Sequence, residues 1–206
     1  MSPPRRPGGA GNPPLPPADL ANRDLPVRIL DPTALYRIHR NGRDPIFFGP
    51  PTEAPESRFD DLQGQYKVCY LGLSRASAFV ETLLRDPAVQ LVTLTAVQER
   101  HLASIETVRA LNLVDFDGPG LHALGATLEV LGTRDYSLPG AWSRALHDHP
   151  GQPDGICYPC RHDNREYAVA LFDRARAALS NPQSRPLLDD PGFLADMART
   201  YQFGIG

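Results

Sequence analysis

The chain has 206 residues, with 21 Lys and Arg against 24 Asp and Glu, a formal net charge of −3, 41% hydrophobic and 22% charged residues. That length fits one domain plus some tail and can bury a core without disulfide or metal staples. The acidic balance excludes a generic nucleic-acid binder, no apolar run is long enough to span a membrane, and three cysteines make no disulfide framework. The opening MSPPRRPGGAGNPPLPP lacks the apolar core of a secretory signal, so a cytoplasmic protein is expected.

Residues 1–26 hold eight of the 22 prolines and almost no large apolar side chain before Leu15. They read as a disordered or polyproline-like leader, in preference to a Pro-rich docking ligand, with the folded domain spanning 27–206. Ala34–His39 is predicted as a strand, 40–66 as a long functional loop, and Lys67–Leu71 as a buried strand. From Ser74 to Arg85, apolar Ala76, Phe79, Val80, Leu83 and Leu84 recur at helical spacing, with Ser74 as N-cap. Further strands are predicted at Leu91–Val97, Ala110–Phe116, Gly155–Pro159 and Tyr167–Phe172. Helices are predicted at Leu121–Leu131, capped by Gly132, at Pro139–His147, at Asp173–Leu179 and once within Pro186–Gly206. Strands and helices interleave without a βαβ rhythm, so the expected class is α+β: one domain with a mixed, mostly antiparallel sheet and packed helices.

Three sets of residues invite chemistry. Gly118-Pro-Gly120-Leu-His-Ala123 follows a strand and opens a helix, as a dinucleotide fingerprint does. Proline between the glycines and the missing acidic residue about 20 positions later favour a tight turn instead. Cys157 and Cys160 form a C-x-x-C near His147, His149 and His162, which could assemble a zinc site in a small interaction protein. Strand alternation at Cys157 and the two-residue spacing of His147 and His149 argue against it, so no metal is expected. Glu81 sits at the edge of its helix's apolar stripe, where an ion pair with Arg85 at i+4 is the default. Arg37 interrupts an apolar strand, and Arg58 lies in the long loop.

Taken in order, LYRIHR, SRFDDLQGQYKVCYLGLSRASAFVETLLRD and DGICYPCRHDNREYAVALFDRA resemble the RES family, over about Val27 to Ala175. The family's Arg matches Arg37, its Glu matches Glu81, and its Ser position is held by Cys160; Arg58 and Tyr70 look like its second arginine and strand aromatic. The resemblance implies a fold similar to ADP-ribosyltransferase toxins, with NAD as substrate rather than cofactor. It implies cleavage of the nicotinamide–ribose bond by water or phosphate, and in many members a helix-turn-helix antitoxin partner. On that reading Glu81 and Arg37 are catalytic, while Arg37, Arg58, Tyr70 and Cys160 bind substrate. Nucleic acid would be reached only through the partner, no membrane contact is expected, and homo-oligomer formation stays open. A thiol donates a weaker hydrogen bond than a hydroxyl, so Cys160 raises a rival reading, a catalytically weakened nucleotide-binding module.

Overall fold

The computed structural model describes residues 14–49, 55, 57–86, 88, 90–133 and 135–206. In chain order the elements are β1 (Val27–Leu30), β2 (Ala34–Arg40), β3 (Val68–Gly72), α1 (Arg75–Leu83), β4 (Leu91–Val92), α2 (Leu94–Gln98), β5 (Arg100–Thr107), β6 (Leu111–Asp115), α3 (Gly118–Leu124), α4 (Glu129–Gly132), α5 (Ser137–His147), β7 (Gly155–Cys160), β8 (Asp163–Phe172), β9 (Leu179–Pro186), α6 (Pro191–Tyr201) and β10 (Gly204–Ile205). Eight strands form one mixed sheet in the order β1-β6-β7-β8-β3-β2-β5-β9, antiparallel throughout except for the β6–β7 pair. The short β4 and β10 pair separately. The α+β class with a mostly antiparallel sheet is therefore as expected.

Strand alternation divides the core in two. Ile38, Val68, Val114, Ile156 and Phe172 turn to one face, where Phe79 of α1, Trp142 of α5 and Leu194 of α6 pack on them. Leu35, Cys69, Ile105, Leu113 and Cys157 turn to the other, which Ala175 and Ala178 of a 3-10 segment help cover. Helix α1 starts where the sequence places it. Ser74 and Ser77 cap each other reciprocally, at 2.9 Å from the Ser77 N–H to the Ser74 hydroxyl and 3.0 Å in return. A Cβ on Gly72 would lie 2.6 Å from the Ala78 nitrogen, so glycine lets α1 lie directly on the end of β3.

Several expectations need correction. Leu91–Val97 is a strand only to Val92, because Thr93 accepts from the Ala96 N–H and opens α2. Leu121–Leu131 breaks into α3 and α4 at Gly125, whose φ of 76° makes it, and not Gly132, the left-handed cap. Asp173–Ala178 winds as 3-10 turns, and β1, β5, β9 and β10 went unanticipated. Of the leader, residues 1–13 lie outside the described residues. Residues 14–26 pack rather than trail: Leu20 is buried, and the Trp142 indole donates to the Pro14 carbonyl at 2.8 Å.

Candidate active site

The sheet opens between its third and fourth strands from the β9 edge. β2 pairs with β5 through seven residues and β3 with β8 through five, yet β2 meets β3 only at Tyr36 opposite Gly72. Past that rung the strands diverge, and the segment after β2 enters the gap, with Gly49 bridging Val68. A cleft of about 260 Å³ lies at the opening. Its walls include Tyr36, Arg37 and Ile38 of β2, Tyr70 of β3, Glu81 and Arg85 beside α1, Ser57 and Arg58 of the long loop, and Tyr158, Arg161 and His162 of the β7–β8 hairpin.

Glu81 supplies the cleft's carboxylate. Its Oε1 accepts from the Arg161 main-chain N–H at 3.1 Å, which fixes the carboxylate against the hairpin. The default ion pair with Arg85 does not form, since the Arg85 Nε donates to the Glu81 carbonyl at 2.5 Å instead. His162 closes the same corner, its Nε2 2.7 Å from the Arg85 carbonyl. Arg58 lies over the Tyr158 ring at 5.4 Å, with no ion pair or hydrogen bond to its guanidinium among the described residues.

Of the anticipated residues, Arg37, Arg58, Tyr70 and Glu81 line this cleft. The Arg37 Nη1 donates to the Pro45 and Phe47 carbonyls, both at 3.0 Å, and lies 3.7 Å from the Cys69 sulfur. Arg37 follows Leu35 on the far side of the strand, so its guanidinium anchors the segment entering the gap. The Tyr70 hydroxyl is already engaged, donating to Asp60 and accepting from the Phe59 N–H, both at 2.9 Å. Cys160 is buried and is not among the residues that line the cleft. Burial, then the neighbouring Glu81 and Glu166 carboxylates, push its thiol well above the usual range.

The C-x-x-C does not converge. Cys157 belongs to the core on one face of the sheet and Cys160 to the core on the other. His147 stacks on Tyr66 at 4.0 Å and His149 faces the Arg23 carbonyl, and no cluster of three metal-ligating side chains occurs among the described residues. Gly118-Pro-Gly120 is a helix-opening turn, and a Cβ on Gly120 would lie 2.0 Å from the Asp115 carbonyl oxygen. Sequence reasoning missed Arg161, because it serves Glu81 through its main chain and no side-chain pattern records that. It also missed Tyr36, Ser57, Tyr136 and Tyr158 in the cleft wall, although all but Tyr136 stand inside the quoted blocks.

The family model for the RES domain matches residues 34–191, most of the chain. The chain belongs to the RES family. A probable toxin, y4kH of Sinorhizobium fredii (strain NBRC 101917 / NGR234), is 37% identical over 98 residues, covering 48% of this chain and 76% of that protein. In three dimensions this RES chain is similar to a chain in the crystal structure of the M. tuberculosis MbcT–MbcA toxin–antitoxin complex. The TM-score is 0.60 at 15% identity, over 78% of this chain and 88% of the other. The RES match begins at Ala34, the first residue of β2, and ends at Pro191, the first of α6, so it encloses every residue of the cleft wall. No helix among the described residues is long and apolar enough to cross a membrane.

Proposed function

We propose that this RES domain cleaves NAD at the nicotinamide–ribose bond, with water or phosphate as acceptor, and acts as the toxin of a toxin–antitoxin pair. The observation that carries the chemistry is a fixed carboxylate, Glu81, and a guanidinium, Arg58, with no ion pair among the described residues, lining one cleft. Nicotinamide in NAD is a pyridinium. When its bond to ribose C1′ breaks, the electron pair returns to the ring nitrogen, so the ring leaves neutral and needs no general acid. The ribose becomes oxocarbenium-like, and a carboxylate beside it stabilises that charge. Glu81 takes this role and orients the incoming oxygen, which forms the new bond at C1′. Arg58 meets the pyrophosphate with forked donors. Arg37 contributes by holding the segment after β2. The cleft volume lies near the lower bound for ligand pockets, roughly 300 Å³, so it suits one end of a dinucleotide with the rest lying outward. The toxin role is supported by family membership and by the named relatives.

The test is incubation of the full chain with NAD, with and without phosphate, followed by detection of free nicotinamide. Glu81→Gln keeps the size of the side chain and one acceptor for the Arg161 N–H but removes the charge. Turnover is expected to fall roughly 100-fold or more, the scale of one lost electrostatic stabiliser. Near-normal turnover in a folded Glu81→Gln protein would rule out this assignment.

A further inference from the structure

The guanidinium of Arg58 has no bonded partner among the described residues, so its location depends on how its own main chain is held. That main chain belongs to the long connection between β2 and β3, yet it is fastened on both sides of Arg58. Before it, the Ser57 N–H donates to Asp60 Oδ2 at 2.7 Å. After it, the Phe59 N–H donates to the Tyr70 hydroxyl at 2.9 Å. The Phe59 carbonyl accepts from Ser143 of α5 at 2.7 Å, and Ser143 in turn accepts from the Tyr66 hydroxyl at 2.7 Å. The Tyr70 hydroxyl closes the set by donating to Asp60 Oδ1. Asp60 is only 2% exposed, and a carboxylate is tolerated at such depth only when bonded as this one is.

We propose that Tyr70 and Asp60 are a positioning pair that fixes Arg58 in the cleft, with Tyr70 acting through its hydroxyl rather than as a stacking platform. This rests on the NAD-cleaving reading above for its functional consequence, though not for its geometry. The phenol both donates and accepts within the protein, so neither capacity is left for a ligand. Burial, and then the Asp60 carboxylate, raise the Tyr70 phenol well above its usual value, which keeps the donor proton in place. Asp60 bonds the residue before Arg58 and the tyrosine that bonds the residue after it. Loss of one contact therefore loosens both sides.

Tyr70→Phe separates the two roles, because it keeps the ring and removes the hydroxyl. The full-length protein, Tyr70→Phe, Arg58→Ala and the double variant are compared for NAD turnover, after thermal melting has shown each to be folded. Tyr70→Phe is expected to raise the KM for NAD roughly five- to tenfold, the loss expected from one or two hydrogen bonds, with kcat held within about twofold. The double variant should be no worse than Arg58→Ala, because a positioning group has nothing to position once Arg58 is gone. Additive effects, or no effect of Tyr70→Phe, would overturn the proposal. Hydrogen exchange at the Phe59 amide is read in parallel and needs no substrate. Faster exchange in Tyr70→Phe supports the pairing, and unchanged protection rejects it. Failure of the unaltered protein to release nicotinamide would instead remove the NAD reading, leaving the exchange result to decide whether Tyr70 holds the loop.

Discussion

The resemblance matches Cys160 to the family's serine, and its surroundings set what a substitution there would do. It is buried, and the Glu81 and Glu166 carboxylates help push its thiol above the usual range, so it lies within electrostatic reach of Glu81. Cys160→Ser preserves a donor and should leave nicotinamide release within about threefold of normal, or raise it, since hydroxyl donors make shorter and stronger bonds. Cys160→Ala removes the donor and leaves a small cavity in its place, and should lower release more than Cys160→Ser does. Cys157→Ala, on the opposite core face beside Arg28, should cost stability without changing turnover per folded molecule. Equal loss of turnover from Cys157→Ala and Cys160→Ala would defeat this account. At this scale the sequence was legible where a side chain itself faces the cleft, as with Glu81 and Arg58. It was not legible where a main-chain group acts, as at Arg161, or where a side chain turns through the sheet, as Arg37 does. Residue type names a chemistry, but only the path of the strand says which way it points.

Helix α1 carries Glu81, and its seat on the sheet depends on one glycine. A methyl at position 72 would meet the Ser77 hydroxyl at 2.4 Å and the Ala78 nitrogen at 2.6 Å, and the latter is main chain that cannot rotate away. Gly72→Ala is therefore expected to destabilise the fold by about 1–3 kcal/mol, the usual scale of overpacking, and to lower the thermal midpoint. Because the same shift moves Glu81, turnover per folded molecule should fall as well. An unchanged midpoint and turnover would show that α1 is not seated this way. The elements also explain which strands could be read in advance. β3 and β7 are short apolar runs buried on both faces and announce themselves. β5 does not: it buries Leu102 and Ala103 together and is bulged between Ser104 and Glu106 against β9, so alternation fails. β9 contains Pro182 and ends at Pro186, which local propensity rejects; as an edge strand it needs only one row of its main-chain groups.

Across the whole molecule, the segment just before β1 belongs to the domain. Leu20 is 3% exposed in the core shared by α1 and α5, and Pro14 caps the Trp142 indole. Leu20→Ala should cost about 2–5 kcal/mol, as other buried leucines do, and should speed proteolytic cleavage within residues 14–26. Wild-type stability in Leu20→Ala would return that segment to the tail predicted from its prolines. The prediction failed there because composition counts prolines over a window, whereas a single leucine and one carbonyl suffice to anchor a short stretch. The sheet has its own consequence at this scale. β1, β6, β7, β8 and β3 form one ladder and β2, β5 and β9 another, joined directly by the rung at Tyr36 and Gly72, with the Gly49–Val68 bridge beside it. Few main-chain bonds join the plates directly, and α1, which packs on β2 as well as β3, and the segment at Pro45–Gly49, bonded to both, span the join. Glu81 and Arg58 approach the cleft with the first plate, through α1, β3 and the loop bonded to it, while Tyr36 and Ile38 ride on the second. The cleft is thus walled by both half-sheets, and its width is set by how α1 and the shared core hold the two together.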